Sequence, residues 1–523
     1  MLRTQLYADP ANLFLHDLIL DSCRKVPNKV ALFDASINRS FSYAEYGDIV
    51  ERLARGLFAA GLKPGEVVAI FLPNSWEFAA AYHAATLAGG FPTLLNPTYR
   101  EREVRYQLEN SGAAMLITDG STLGDIHLGG LPALRRVYST RQQAAGTEVF
   151  ADLLRPVTAK FLTPDRPAKE TVAALPYSSG TTGLPKGVML SHYNLIANVY
   201  QLMAPHGTPL TDADVMLCFL PLYHIYGLTV ALNLMLTLGA TLLLMPRFNV
   251  PHLLSLLMSE RVTMLPTVPP ALNALNQAAE VGQFPKDHHV CWVKCGAAPL
   301  APELARRFTE LTGIPVNQGY GMTEASPVTH LGYIDPPSLH RPQSIGQPLA
   351  LTECRVLDAN DREVAASEPG ELVMRGPQFM LGYWKEPQAT AAVLRDGWYW
   401  SGDIVNRDAD NFFYILDRRK EMIKYKGFPV APAEVEAVLM EHPAVRDCGV
   451  VARPNLEAGE IPCAFVVLRD GQVSDEAMKK SLCGFVADRL TSYKQPREIH
   501  FVDAVPRTPS GKILRRELRK VFS

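Results

Sequence analysis

Ser178-Ser179-Gly180-Thr181-Thr182-Gly183-Leu184-Pro185-Lys186-Gly187 packs four hydroxyls, three glycines and one lysine into ten residues. A loop of this make-up offers backbone N–H groups, hydroxyl donors and a cation to an anion, and its glycines let the main chain come close. It is not a Walker A loop, because Pro185 and Gly187 break the G-x-x-x-x-G-K-[ST] spacing. By composition alone it serves equally well as a surface turn. A second string, Gln318-Gly319-Tyr320-Gly321-Met322-Thr323-Glu324, joins small residues that admit a planar ligand to a ring that stacks on one. It ends on a hard carboxylate suited to Mg²⁺. Three further strings carry one reactive group each: Asp403 after Ser401-Gly402, His224 in Pro221-Leu222-Tyr223-His224-Ile225-Tyr226-Gly227, and Lys512 in Pro506-Arg507-Thr508-Pro509-Ser510-Gly511-Lys512. Taken singly, a histidine in an apolar stretch is a satisfied core residue, and a lysine before a basic helix belongs to a solvated tail.

The surrounding pattern supplies the elements that must position these groups. Val172 to Leu175 predicts a strand entering the glycine loop, Val188-Met189-Leu190 a strand leaving it, and Ser191 the start of a helix through Ile196 and Val199. Upstream, Ser42 with Glu45 makes a capping box for a helix ending at Gly61. Glu66–Leu72 is then a strand, Asn74 caps a second helix stopped by Gly89-Gly90, and Phe91–Leu95, Glu101–Asn110 and Ala113–Thr118 read as strand, helix and strand. This alternation predicts a parallel α/β sheet. From Ser344 to Phe413 shorter strands (Thr352–Leu357, Gly370–Met374) suggest a small β subdomain. Asp417-Arg418-Arg419-Lys420 marks a boundary, dividing the chain into 1–418 and 420–523. The second part, with a helix Ala433–His442, strands near Gly449–Ala452 and Ala464–Leu468, and a helix Asp475–Leu490, has the size of a small domain. A charged hinge there suggests relative motion, although four charges also suit a solvated turn. The expected class is α/β: a large N-terminal domain of αβ sheets with a small β subdomain, and a small mobile α+β C-terminal domain.

At 523 residues, with 47% hydrophobic and 20% charged, the chain has a globular make-up and room for more than one domain. Its net charge of −2 gives no sign of nucleic acid or an anionic membrane surface as partner. Eight cysteines form no framework, and Cys291 with Cys295 lacks a second ligand pair for zinc, which fits a reducing cytoplasm. Met1 to Asn12 has no signal-peptide pattern. Cys218 to Pro246 carries no charged side chain except His224, and a membrane span needs about 20 apolar residues. Pro221, Gly227, Asn233 and Gly239 interrupt the run, so a buried helix ending near Gly239 and a strand Thr241–Met245 are expected instead.

Together the strings resemble the adenylate-forming enzymes: acyl-CoA synthetases, aryl-CoA ligases, beetle luciferases and peptide-synthetase adenylation domains. Five motifs fall in the family's order between about Val30 and Leu518. The resemblance implies an ATP-dependent acid–CoA ligase using Mg²⁺ and coenzyme A, which forms an acyl-adenylate and then a thioester. It makes Ser178, Ser179, Gly180, Thr181, Thr182, Gly183 and Lys186 the phosphate loop. Gln318, Gly319, Tyr320, Gly321 and Met322 then hold adenine, Thr323 the α-phosphate and Glu324 the metal. Gly296, Ala297 and Ala298 form a second wall. Asp403 and Arg418 bind the ribose, and a single carboxylate suits that task because it accepts from both hydroxyls. Lys420 becomes the hinge, and Lys512 the ammonium that offsets charge as a carboxylate attacks the α-phosphorus. His224 gates the carboxylate site, while Tyr226, Val230, Gly296, Gly319, Pro327 and Val328 line the acyl pocket. Arg247, Lys424, Lys426 and Gly427 resemble the coenzyme A contacts.

The string around His224 is closest to the plant-type coumarate–CoA ligases and lacks the acid that pairs with an amino-acid substrate. Cys295 stands where serine is common, Ser401 where threonine is, and Trp400 is atypical. The acid is left as an aryl, cinnamate-like one or a medium- to long-chain fatty acid. Transfer to a carrier protein, luciferase-like oxidation of the adenylate, and a nucleotide-sensing scaffold are the other readings.

Overall fold

A computed structural model describes residues 13–158, 167–178, 185–204, 210–418, 421–425, 428–455, 458–490, 492–508 and 511–522. The expected capping box is present. Glu45 N donates to Ser42 Oγ at 3.2 Å and Ser42 N to Glu45 Oε2 at 2.7 Å, which starts the helix Tyr43–Ala59. Such a cap is worth about 1 kcal/mol. The second helix, Trp76–Leu87, is capped by Ser75 rather than by Asn74. Asn74 is drawn away because its amide donates to the carbonyls of Leu220 and Met245 and accepts from Leu222 N, tying together three chain segments at the strand ends. Buried backbone groups need partners, and that demand outweighs a local cap.

Two large sheets form the N-terminal part. One is nine-stranded, in the order Gln347–Pro348, Val328–Leu331, Val316–Gly321, Trp292–Cys295, Met264–Thr267, Val215–Cys218, Thr241–Leu244, Val30–Asp34 and Arg39–Ser42. Its interior, from Val316–Gly321 to Val30–Asp34, is parallel. The other is a five-stranded parallel sheet of Phe91–Leu94, Val67–Phe71, Ala113–Thr118, Arg136–Ser139 and Glu148–Val149. The last two strands lie between about Leu123 and Lys169, where the sequence shows no regular alternation. A short sheet built around Lys186–Ser191 flanks the glycine loop, and Ser191 caps the helix His192–Met203.

The long uncharged run folds as expected: a helix, a left-handed Gly239, and a strand Thr241–Leu244. Its first part, Tyr226–Asn233, is wound as a π-helix. Among the described residues no helix is long and apolar enough to cross a membrane.

Antiparallel pairing of Glu353–Leu357, Gly370–Arg375, Trp398–Arg407 and Phe413–Arg418 makes the β subdomain. The C-terminal domain packs the helices Pro432–Met440 and Glu476–Ala487 with a mixed sheet around its own core of Val435, Leu439, Val450, Val466 and Leu482. Its two central strands, Val445–Asn455 and Gly459–Leu468, form one long hairpin and extend well past the short runs expected from sequence. All eight cysteines are free thiols.

Candidate active site

The carboxyl ends of Val215–Cys218, Trp292–Cys295 and Val316–Gly321 lead into loops that wall one cavity of about 1300 Å³, and Met264 and Pro266 line it from the strand between the first two. Open α/β sheets bind ligands at this end, where loops carry side chains clear of the ladder. The β subdomain adds Ser401, Gly402 and Asp403, and the small domain closes the cavity with Lys424, Arg507, Thr508 and Lys512.

On one wall Tyr320 Oη donates to Asp403 Oδ2 at 2.5 Å. The backbone at Asp403 is fixed from its own strand and the next: Asp403 N donates to Ser401 Oγ at 3.1 Å and Gly402 N to Glu371 Oε1 at 3.1 Å. Arg418 stands opposite Asp403 in the strand register. Ile314–Asn317 reads as a strand in the sequence, and the strand observed runs on through the motif as Val316–Gly321, so Gly319 and Tyr320 reach the cavity from a rigid ladder. Gly321 is required there, because a Cβ would lie 2.0 Å from the Pro327 carbonyl oxygen.

Beside this wall, Ser178 and Lys186 line the cavity, whereas Ser179, Gly180, Thr181, Thr182 and Gly183 lie outside the described residues. The Lys186 ammonium sits 5.3 Å from the centre of the Tyr383 ring, and Tyr383 Oη donates to Glu324 Oε1 at 2.8 Å. Glu324, buried at the cavity edge next to Thr323, is an oxygen donor of the class magnesium prefers. Cys463, Glu498 and His500 also come within metal-binding reach of one another, but none lines the cavity. Arg453 already pairs with that Glu498 carboxylate.

The apolar part is lined by Tyr226, Val230, Gly296, Pro327 and Val328. Tyr226, Val230 and Leu234, four residues apart, reach the cavity from the π-helix Tyr226–Asn233 and the first residue of the α-helix that follows. His224 is held neutral: burial first, then the Lys512 charge, pushes it down to about 4. Tyr226 N donates to His224 Nδ1 at 3.3 Å, which leaves the ring proton on Nε2. Tyr226 Oη donates to the Lys294 carbonyl at 3.0 Å.

Lys294 itself was missed by the motif reading. Its side chain lines the cavity, its ammonium lies 5.0 Å from the Trp292 ring, and burial pushes it down to about 7. The signal was available, since Trp292, Lys294 and Gly296 alternate on one face of a strand. Ala298, Gln318 and Arg247 stand outside the cavity wall; Gln318 is buried and donates to the Pro342 carbonyl, and Arg247 is exposed. Lys420, Lys426 and Gly427 lie outside the described residues.

A family model for AMP-binding enzymes matches residues 19–384, and one for the AMP-binding enzyme C-terminal domain matches residues 434–512. A 4-coumarate–CoA ligase of Pinus taeda is 36% identical over 520 residues, covering 97% of this chain and 95% of the relative. Among solved structures, the anthranilate CoA ligase AuaEII in complex with anthranoyl-AMP superposes with a TM-score of 0.89 at 26% identity, over 99% of this chain and 98% of that one. ATP-bound MatB from Rhodopseudomonas palustris gives 0.87 at 30% identity, over 98% of this chain and 99% of that one. Its apo form, at the same identity and coverage, gives 0.78. The matches span both domains and almost the whole length. The chain therefore belongs to the AMP-binding enzymes, the adenylate-forming family, and groups there with the AMP-forming acid–thiol ligases.

Proposed function

We propose that the chain is an ATP-dependent acid–CoA ligase that works in two half-reactions from one cavity. The supporting observation is that a single space gathers the Tyr320–Asp403 pair, Lys186 and Glu324, neutral His224, an apolar pocket, and Lys512 from the other domain. In the first step a carboxylate oxygen attacks the α-phosphorus of ATP and pyrophosphate leaves. Lys512 offsets the negative charge brought together there, and a preorganised donor of this kind is worth on the order of 10²–10³ in rate. His224, carrying its proton on Nε2, donates to the attacking carboxylate. Asp403, with Arg418, binds the ribose hydroxyls, displacing the Tyr320 hydroxyl that it now accepts. Glu324 would hold a magnesium ion, which supplies charge neutralisation to the phosphates when bound, and Thr323 would contact the α-phosphate.

In the second step the small domain turns about Lys420, withdraws Lys512 and brings the Lys424–Gly427 face to the adenylate. The coenzyme A thiolate attacks the acyl carbonyl and AMP leaves. Gating of this kind suits two reactions that need different groups over one substrate. On the acid, the pocket favours a ring or chain with a hydrogen-bond acceptor at its far end. Trp292, Met264 and Leu234 supply apolar contact, and Lys294 is a donor that would otherwise stand in an apolar wall.

Exchange of labelled pyrophosphate into ATP, run with hydroxylated cinnamates, plain cinnamates and alkyl acids, tests the reading. Exchange is expected with at least one class, and AMP with a thioester once coenzyme A is added. Failure of every acid to support exchange overturns adenylation. Exchange without a coenzyme A thioester overturns the acceptor.

A further inference from the structure

Arg507 and Arg515 flank Lys512, and each pairs with an acid of the small domain. Arg515 Nη2 lies 2.7 Å from Glu436 Oε1, and its Nε donates to the Val450 carbonyl at 3.1 Å. That pair is largely shielded from solvent at the root of the loop and anchors it. Arg507 does something different. Its Nη2 donates to Asp447 Oδ1 at 2.7 Å and its Nε to Asp447 Oδ2 at 3.3 Å, while Nη1 donates to the Gly511 carbonyl at 2.8 Å. One planar guanidinium thus joins the long strand Val445–Asn455 to the peptide group immediately before Lys512. The turn is closed by Thr508 N donating to the Lys512 carbonyl at 2.8 Å and Lys512 N donating to Thr508 Oγ1 at 3.0 Å.

We propose that Asp447 and Arg507 are positioning residues for adenylate formation: they set the direction in which Lys512 leaves the backbone. The lysine side chain is a flexible four-carbon stem, so its aim depends on where its own Cα is held. The Arg fork is rigid and meets a carboxylate in one plane, which suits it to carry the registry of the sheet across to the loop. The three hydrogen bonds of the Arg507 guanidinium all lie within the small domain, so the clamp travels with Lys512 when that domain turns away and has no task in thioester formation. Arg507 also borders the cavity, so direct contact with nucleotide is the competing role. The proposal rests on the assignment of Lys512 to the first half-reaction.

Asp447→Asn separates the two roles, because it keeps the Arg507 charge and removes the charge that orients it. Pyrophosphate exchange should lose about 10- to 100-fold in kcat, as for a displacement of about 1 Å at a reacting group, with KM for ATP changed by no more than about twofold. Conversion of supplied acyl-adenylate to thioester should be unchanged, which also shows the variant to be folded. Arg507→Lys, which keeps a cation and loses the fork, should depress exchange likewise. Wild-type exchange in Asp447→Asn with depressed exchange in Arg507→Lys would assign Arg507 to the nucleotide and overturn the clamp. Equal loss of both half-reactions, together with a lowered Tm, would reduce the pair to a structural role. Lys512→Ala run alongside tells the two failures apart: if it keeps exchange, the assignment of Lys512 itself falls.

Discussion

Gly511 offers a direct test of whether the two half-reactions need different placements of the small domain. Its φ is +84°, and a Cβ there would lie 2.9 Å from Pro270 Cδ and 3.2 Å from Pro270 Cγ of the large domain. In Gly511→Ala two penalties arise. A left-handed conformation costs an L-residue about 1–2 kcal/mol, and this one follows the loop wherever the domain goes. The contact with a rigid proline ring costs about 1–3 kcal/mol, as overpacking does, and applies only where the loop faces Pro270. The second penalty alone should slow adenylate formation relative to thioester formation, by about 5- to 150-fold at 1.4 kcal/mol per decade. Single-turnover formation of acyl-adenylate, compared with thioester formation from supplied adenylate, measures that ratio. A variant that loses both steps equally, or neither, refutes the link between this contact and the first half-reaction.

Lys294→Met should lower kcat/KM by about 10- to 150-fold for acids with a terminal acceptor, the worth of a hydrogen bond to a charged donor, and raise it for wholly apolar acids; unchanged ranking across the acid panel would remove Lys294 from substrate selection. Acid should weaken the fold before carboxylates titrate. Burial holds His16 at about 4, His83 at about 3 and His192 well below the usual range, so these stay neutral while an unfolded histidine takes up its proton near 6.5. Their stabilisation is complete above pH 6.5 and declines as pH falls from there, by up to about 1.4 kcal/mol per pH unit for each. Urea unfolding at pH 7, 6 and 5 reads this, and a midpoint that does not move contradicts it.

The alternation of strands and helices, the capping box at Ser42 and the break at Gly239 were legible in the chain because each depends on neighbours a few residues apart. The strings around Lys186, Tyr320, Asp403 and Lys512 stood out for the same reason, and the structure brings all four residues to one cavity. What lay beyond the sequence were the groups whose partners come from elsewhere. Asn74 looks like a cap until the carbonyls of Leu220 and Met245 claim its amide. Lys294 looks like an ordinary strand residue until strand and helix meet around an apolar hollow and burial lowers its affinity for a proton. Arg507 looks like part of a basic tail until Asp447, sixty residues earlier in the chain, takes its fork. Hydrogen bonding at short range and hydrophobic period are written locally. The burial, pairing and electrostatics of a single side chain depend on which distant segments the folded sheets bring beside it, and only the tertiary structure decides those.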